Sequence, residues 1–524
     1  MTIFSNKSLF NIHFFYLILI FLFSFFINFY YAKFGSFPID TFLHYDSAFR
    51  ILNNEYPIRD YWIVSGFIID FLQSFFFKIL GVNWFAYTFH SSIFNFFVSA
   101  FSYYFFLSLG LNKTKSLIYT LSFATLAYTI SGTPFVDHHA TFFLLISTYL
   151  IIIALNFPKK NYFWIFIVML FFLSFLSKQV PTAYVIMSQG AILLYFFFKT
   201  KEMNVIKIIF FSLIFFFILF IFLLIYLKID FKLFYIQYLD YPRTIGFDRY
   251  DRFEKSFEIF FNQYKFLFLP IILILIIKFK KVKNKKFDFS LKELIVFLIL
   301  FAFSMSLLFH QIMTKNQIFI YFLIPIFLAL LESEIQIFNT KNKKYFSIIL
   351  IMFTIFITLK YHYRFNETRK FHEMEKIELG KSISAFRIDK SLNGLKWITP
   401  LFKNDPEKEI LILQKTKNRI EKINHQIILV THYLFLDSVI KKKLNYPSRT
   451  FTTEGASIPM RNHSFYGDYK RFLIHKIKEN NVQEIYFLKH ENISKRIVTD
   501  FIDKNCYSLS EDELFYIFKI NCLM

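Results

Sequence analysis

The sequence predicts an α-helical polytopic membrane protein of about eleven transmembrane helices, followed by a small C-terminal α/β domain. Three observations carry that expectation. Runs of about twenty residues without a charge recur along positions 1–361, the length a helix needs to cross a hydrocarbon core. Short lysine clusters separate alternate runs, as the positive-inside bias requires. Beyond 361 the apolar runs shrink to short β-type segments with hydrophilic, helix-compatible stretches between them.

Composition narrows the function classes. Of 524 residues, 56% are hydrophobic and the net charge is +23. In a soluble chain that basic excess would suggest nucleic acid. Here the lysines sit between apolar runs, where they set topology and meet anionic membrane lipid, so nucleic acid is not an expected partner. The two cysteines, Cys506 and Cys522, form no metal or redox pattern.

Taken in order, residues 9–32 form an apolar run too long for a signal peptide and lacking a small-x-small cleavage site. It reads as an uncleaved first span with a cytoplasmic N-terminus, which puts the loop 33–85 outside. Between Phe37 and Gly66 this loop, FPIDTFLHYDSAFRILNNEYPIRDYWIVSG, holds Asp40, His44, Asp46, Arg50, Glu55, Arg59 and Asp60 among Tyr45, Tyr56, Tyr61 and Trp62. Carboxylates are costly in hydrocarbon, so the stretch belongs at a membrane face. DSAFRIL lacks Gly and Pro and suits a helix, with Asp46 and Arg50 four apart on one face. Pro57 bounds it, because the residue before a proline avoids the helical region. IDFLQSFFFKIL (68–79) reads as an interfacial helix, since Asp70, Gln73 and Lys78 suit a surface-lying element better than a span.

Further spans are expected at about 86–107, 116–132, 140–156, 162–177, 182–198, 206–227, 266–279, 293–309, 318–332 and 345–360. Alternation puts Lys113 and Lys115, Lys159 and Lys160, Lys199 and Lys201 and the KFKKVKNKK cluster inside, and the tail 362–524 outside the inner membrane. The domain division expected is therefore 1–361, transmembrane, and 362–524, extracytoplasmic. In the tail, EILIL (409–413), QIILVTH (426–432) and EIYFL (484–488) read as strands, and GDYKRFLIHKIKEN as a helix. NCYSLSEDELFYIFKINCL reads as two strands joined by a turn, bringing Cys506 toward Cys522 in an oxidising compartment.

The spacing in the first loop resembles a known pattern. Asp46 is followed two residues on by Ala48, then by Tyr56-Pro57, Arg59-Asp60, an aromatic, Gly66 and a second apolar stretch ending Leu80-Gly81. It resembles the first extracytoplasmic loop of the GT-C superfamily, the polyprenyl-phosphate-sugar-dependent glycosyltransferases that include protein O-mannosyltransferases and lipid A aminoarabinose transferases. The resemblance implies an inverting glycosyltransferase with a lipid-linked sugar donor and a glycan, lipid or protein acceptor. It also implies that Asp46 is the catalytic base and Asp60 a second site residue. The family often has an acidic pair at the first site, whereas His44 and Tyr45 precede a single Asp46 here.

Under this topology the polar residues gather on the outer face: Asp137-His138-His139, Lys178-Gln179, and His310, Gln311 and Lys315 join the first loop. Transfer from a phosphate-linked donor needs a carboxylate to take the acceptor proton and cations to steady the leaving phosphate. Arg50, Lys178 and His138 or His139 are the expected phosphate partners, with Asp137 orienting His139 or the acceptor. The plainer readings are a helix cap for Asp137 and a snorkelling head group for Lys178. An Asp-His-His cluster is also a ligand set for a divalent cation, but adjacent histidines on a helix diverge, so no metal site is assigned. The alternative function is a transporter or flippase of lipid-linked sugars. Against it, few ionisable residues fall in mid-span, where coupled transporters place them.

Overall fold

The computed structural model describes residues 7–250, 253–283, 291–314, 319–337, 342–440, 442–452 and 457–522. Among these, eight helices are long and apolar enough to cross a membrane: Ile12–Tyr31, Val136–Ala154, Gln179–Thr200, Met203–Tyr226, Asn262–Lys280, Leu291–Thr314, Phe319–Gln336 and Lys343–His372. All eight lie where spans were expected. A ninth, Asn161–Ser177, is apolar but shorter. The other two expected spans, near 86–107 and 116–132, are helices with a different character. Trp84–Ser108 carries His90, Ser91, Ser92, Asn95, Ser99 and Ser102, all buried, so its polarity is spent on protein contacts. Lys113–Leu126 has 14 residues, a rise of about 21 Å, which falls short of a hydrocarbon core of about 30 Å.

Packing divides the chain into two compact units, which cut across chain order. The first comprises Met1–Lys33, Thr88–Leu219 and Arg249–Glu375; the second comprises Phe34–Tyr87, Phe220–Asp248 and Lys376–Met524. Chain order alone suggested one boundary near 362. The packing instead groups the first loop and residues 220–248 with the tail.

Val136–Ala154 and Phe319–Gln336, both in the first unit, are each 83% enclosed, whereas Met203–Tyr226, whose residues from Phe220 on belong to the second unit, is only 17% enclosed and shows apolar side chains nearly all round. Asn28 donates to Ser91 Oγ and Ser92 Oγ at 3.1 and 2.9 Å, and Asn95 donates to Ser24 O and Ala124 O at 2.8 and 3.2 Å. These bonds satisfy groups that lipid could not. The chain breaks its helix between Leu126 and Val136, leaving carbonyls that need donors. Arg369 supplies them to Thr129, Ile130 and Ser131 at 3.2, 3.3 and 3.0 Å, and Asn366 donates to Thr125 O at 2.9 Å. Gly132, at φ +74°, is required there: a Cβ would lie 2.8 Å from Ala32 Cα. Acidic residues near the end of Phe319–Gln336 are paired, Glu332 with Lys115 at 2.6 Å and Glu334 with Lys278 at 2.7 Å.

The second unit is built on two short antiparallel segments, β1 (Ile383–Ser384) and β2 (Lys396–Trp397), and a four-stranded sheet of β3 (Ile427–Val430), β4 (Glu484–Leu488), β5 (Tyr507–Glu511) and β6 (Phe515–Ile520). The sheet order is β3-β4-β6-β5, with β3 and β4 parallel and the other pairs antiparallel. QIILVTH, EIYFL, GDYKRFLIHKIKEN and the C-terminal hairpin therefore have the secondary structure their patterns predict. EILIL does not. It lies within the helix Pro406–Glu421, capped by Asp405, whose side chain accepts from Lys408 N at 3.0 Å. Ile410, Leu413 and Ile420 form its buried face, a helical spacing that a five-residue apolar run cannot reveal.

The first loop folds as helices Leu43–Leu52 and Phe67–Leu80, tied to the tail by backbone bonds from Trp62 N to Pro447 O (2.9 Å) and from Arg449 N to Trp62 O (3.0 Å). Gln237 clamps it too, donating to Ile58 O and accepting from Ile63 N, both at 3.1 Å. Asp70 and Gln73 are buried, which corrects the reason given for a surface-lying helix: Asp70 faces protein partners, not water.

Cys506 and Cys522 are joined, with Cα atoms 4.8 Å apart and a sequence separation of 16. Closing a loop of that length stabilises by about 3 kcal/mol. The double variant Cys506→Ser, Cys522→Ser should lose roughly that much of the hairpin's local stability, read as faster amide exchange at β5 and β6. Unchanged exchange would show that the bond does not form in the folded protein.

Candidate functional site

Asp46 lies in the first turn of the helix Leu43–Leu52, with its backbone N–H donating to Phe42 O at 3.0 Å. Its side chain is sealed from solvent, and neither carboxylate oxygen has a hydrogen-bond partner among the described residues. An unpaired buried charge is expensive, so such a group takes up a proton instead. Burial holds the Asp46 carboxyl well above its ordinary range, the neighbouring Asp437 adds to this, and Arg50 opposes it only in part.

One turn on, Arg50 is 2% exposed and fixed from two sides. Its Nε and Nη2 both meet Glu55 Oε2 at 2.8 Å, and its guanidinium lies 3.9 Å from the Tyr61 ring centre. Glu55 also takes Lys443 Nζ at 2.8 Å. Burial alone would raise Glu55, but Arg50 and Lys443 outweigh it and hold the carboxyl below its usual range. Asp437, from the short helix Leu436–Val439, accepts Leu444 N at 3.1 Å. Burial lifts it to about 6, with Arg50 pulling the other way. Asp60 accepts from Tyr56 N (2.7 Å), Arg59 Nε (2.8 Å) and Lys476 Nζ (3.3 Å). Those partners overcome its burial and keep it below the usual carboxylate range.

Arg50, Glu55, Arg59, Asp60, Asp437, Lys442, Lys443 and Lys476 line one cavity of about 620 Å³. Asp46 is not in its lining. A catalytic base, the role the loop's resemblance implies for Asp46, has to reach its acceptor; Asp46 instead stands behind the wall, electrostatically joined to Asp437, which is on the wall. Behind both, His44 Nδ1 meets Asp70 Oδ1 at 2.7 Å, and Arg449 bonds to Asp70, Ser65 O and Ser47 Oγ. This buried triad locks the two loop helices to the tail.

The remaining predicted residues belong to the first unit. Asp137 takes Lys178 Nζ on both oxygens, at 2.8 and 2.7 Å, and His310 Nε2 at 2.7 Å. It is not a helix cap, as Phe135 is the capping residue of Val136–Ala154 and makes no side-chain bond. Lys178 is likewise engaged as an ion-pair partner rather than extended toward a surface. The adjacent histidines diverge as the sequence suggests. His138 is boxed by Tyr128, Phe135, Phe142, Phe319 and Phe371, with neither ring nitrogen bonded among the described residues. His139 meets Tyr128 Oη at 2.5 Å and His90 Nε2 at 3.0 Å. Among the described residues no three His, Cys, Asp or Glu side chains converge to hold a metal ion. Lys315 lies outside the described residues.

Neither protein-family models nor curated proteins give a match to this chain. The site thus rests on its own geometry. Sequence reasoning missed Asp437, Lys443, Lys476 and Arg449, because all four come from the tail, about 380 residues or more beyond the loop they complete. One signal was available: a lone carboxylate in the apolar stretch LFLDSVI, just ahead of Lys442 and Lys443.

The Asp137–Lys178–His310 cluster joins three helical segments, and removing one partner of a buried pair typically costs about 3–5 kcal/mol. Asp137→Asn should lower the unfolding temperature of the protein in lipid nanodiscs. The pair Asp137→Leu, Lys178→Met should recover part of that loss. Equal stability of Asp137→Asn and wild type would remove the structural role.

Proposed function

We propose that the chain is an inverting membrane glycosyltransferase that moves a sugar from a polyprenyl-phosphate donor to an acceptor hydroxyl on the extracytoplasmic face. The observation that carries this reading is the mixed-charge cavity in which the first loop's Arg50 and Asp60 meet the tail's Asp437, Lys443 and Lys476. Such a site has both halves of the required chemistry: a carboxyl group raised toward neutrality and cations able to hold a phosphate. The resemblance of the loop to the GT-C pattern adds to it. The acceptor is a glycan, lipid or protein bearing a free hydroxyl.

In the proposed step the acceptor O–H gives its proton to the Asp437 carboxylate as its oxygen bonds to the anomeric carbon. The bond from that carbon to the phosphate oxygen breaks, and the electron pair leaves with the phosphate. Arg50, Arg59, Lys443 and Lys476 stabilise the charge that grows there. Asp437, at about 6, is mostly ionised at neutral pH and still basic enough to accept a proton. Asp46 remains protonated behind it and supplies no base of its own. This moves the base role expected for Asp46 to its partner.

The topology proposed with this function has eleven spans: the eight apolar helices, Trp84–Ser108, Asn161–Ser177, and the crossing completed where Lys113–Leu126 is extended by the 3-10 segment Tyr128–Ile130. The N-terminus is cytoplasmic and the tail extracytoplasmic. A reporter fused after Met524 should be active outside the cytoplasm, and one fused near Lys283 only inside. A cytoplasmic signal from the C-terminal fusion would overturn the sidedness.

The function is tested by mass spectrometry of lipid-linked sugars and surface glycans in cells lacking the gene. The expected result is an accumulated lipid-linked sugar and one lost glycan modification. Complementation with Asp437→Asn should lower transfer by about a hundredfold or more, with normal membrane insertion. Asp46→Asn should retain most activity. In the wild type, transfer should fall as pH drops through about 6, because protonated Asp437 cannot act as base. Full activity of Asp437→Asn together with an inactive Asp46→Asn would return the base role to Asp46. Unchanged lipids and glycans on deletion would rule out transfer.

A further inference from the structure

The second unit holds another cavity, of about 740 Å³, within the range of small-molecule sites at about 300–1,000 Å³. It lies at the carboxyl ends of the parallel neighbours β3 and β4, where the chain leaves the sheet as Thr431-His432-Tyr433 and as Lys489 to Ser494. In open α/β sheets, ligands collect outside the carboxyl ends of the strands.

The lining differs in kind from that of the first cavity. Among the described residues it contains no Lys or Arg, whereas Arg50, Arg59, Lys442, Lys443 and Lys476 line the other. A phosphate or other anion would find no cation there. What the cavity offers instead is an apolar and aromatic surface from Phe37, Pro38, Leu401, Tyr433, Phe451 and Ile493. Into that surface are set hydrogen-bonding groups from Glu491, His432, Asn492, Thr452 and Ser494, and the carboxylate of Asp40, an acceptor for hydroxyls that would repel an anion.

These polar groups are held in place from behind. Glu491 accepts from Thr431 Oγ1 at 2.5 Å and from His432 N at 2.8 Å, bridging the two strand ends. Tyr433 donates to Glu409 at 2.6 Å, and Glu409 is itself fixed by Trp397 Nε1 (2.8 Å) and Thr399 Oγ1 (2.9 Å). His432 Nδ1 has no partner among the described residues. Burial raises Glu491 to about 8 and lowers His432 to about 4, so both side chains are neutral at pH 7. A neutral carboxylic acid donates through its O–H and accepts through its C=O, and a neutral imidazole does the same with its two nitrogens.

We propose that this cavity binds an uncharged saccharide, its ring face laid on the apolar wall and its hydroxyls bonded to Glu491 and His432. Flat apolar walls suit the C–H face of a sugar ring, and neutral donor–acceptor groups suit hydroxyls, which are both donor and acceptor. The inference does not rest on the transfer reaction proposed above, because it uses none of the residues assigned to that reaction.

The test uses the full-length protein in lipid nanodiscs free of glycosidic detergent. Saturation-transfer NMR is recorded with maltose, cellobiose, lactose and N,N′-diacetylchitobiose, with glucose 6-phosphate as the charged control. At least one neutral disaccharide should give a signal, and glucose 6-phosphate should not displace it. Leu401→Trp, which fills the mouth from a half-exposed position, should weaken that binding at least tenfold. Glu491→Lys should do the same, whereas Glu491→Gln and Asp437→Asn should keep it. Because Leu401 is at the surface, its variant is informative even if Glu491→Lys fails to fold. Absence of signal with all four disaccharides, or undiminished signal in Leu401→Trp, would overturn the proposal. Binding without any glycan change on gene deletion would uphold this site while rejecting the transferase reading, and the converse result would do the reverse.

Discussion

The arrangement of the first cavity depends on one buried carboxyl that has nothing to bond to. Asp46 is sealed in the wall with both oxygens unpartnered, and Arg50, one turn away on the same helix, is committed to Glu55 and to the face of Tyr61. Two acidic groups, Asp46 and Asp437, therefore share the field of one arginine whose hydrogen bonds go elsewhere. Under that constraint both cannot be ionised together without a large penalty. The more deeply enclosed group keeps its proton, and the one on the wall titrates near neutrality. A cavity with a carboxylate that titrates just below neutral pH and several cations follows from this division.

Holding such a pair requires a rigid surround, and three separated stretches of chain supply it. The loop helices are fixed by the His44–Asp70–Arg449 triad, Gln237 grips Ile58 and Ile63, and Trp62 exchanges backbone bonds with residues 447 and 449. Lys443 and Lys476, from the tail, reach Glu55 and Asp60 in the loop. The first loop is thus half a site. Its other half is encoded several hundred residues later, and residues 220–248 brace it.

That division explains which features were legible in the sequence. Helical and strand periodicities are local, so the apolar helices, the helix DSAFRIL and the strands IILV and EIYFL lie where their patterns place them. The disulfide was legible for the same reason, since a hairpin brings its ends together. EILIL misled because an apolar run of five residues has too few positions to separate a period of 2 from one of 3.6. The polarity of Trp84–Ser108 and the brevity of Lys113–Leu126 could be counted in the sequence, but not their partners Asn28 and Asn366. Charges were legible as unusual, but their partners inside the protein were not. Asp70 is engaged by His44 and Arg449, and Asp137 by Lys178 and His310; nothing in a linear sequence says which cation an acid will find.

The central claim is that Asp46 keeps its proton while Asp437 loses its own near pH 6. Isotope-edited infrared spectroscopy of the full-length protein, with labelled aspartate carboxyls, measures this directly as pH is raised from 4 to 8. The account predicts a carboxylate band that appears near pH 6 and is absent from Asp437→Asn. It also predicts a protonated-carboxyl band that persists to pH 8 and is absent from Asp46→Asn. A carboxylate band below pH 5 that vanishes in Asp46→Asn would mean that Asp46 is ionised in its buried place, and would contradict the account.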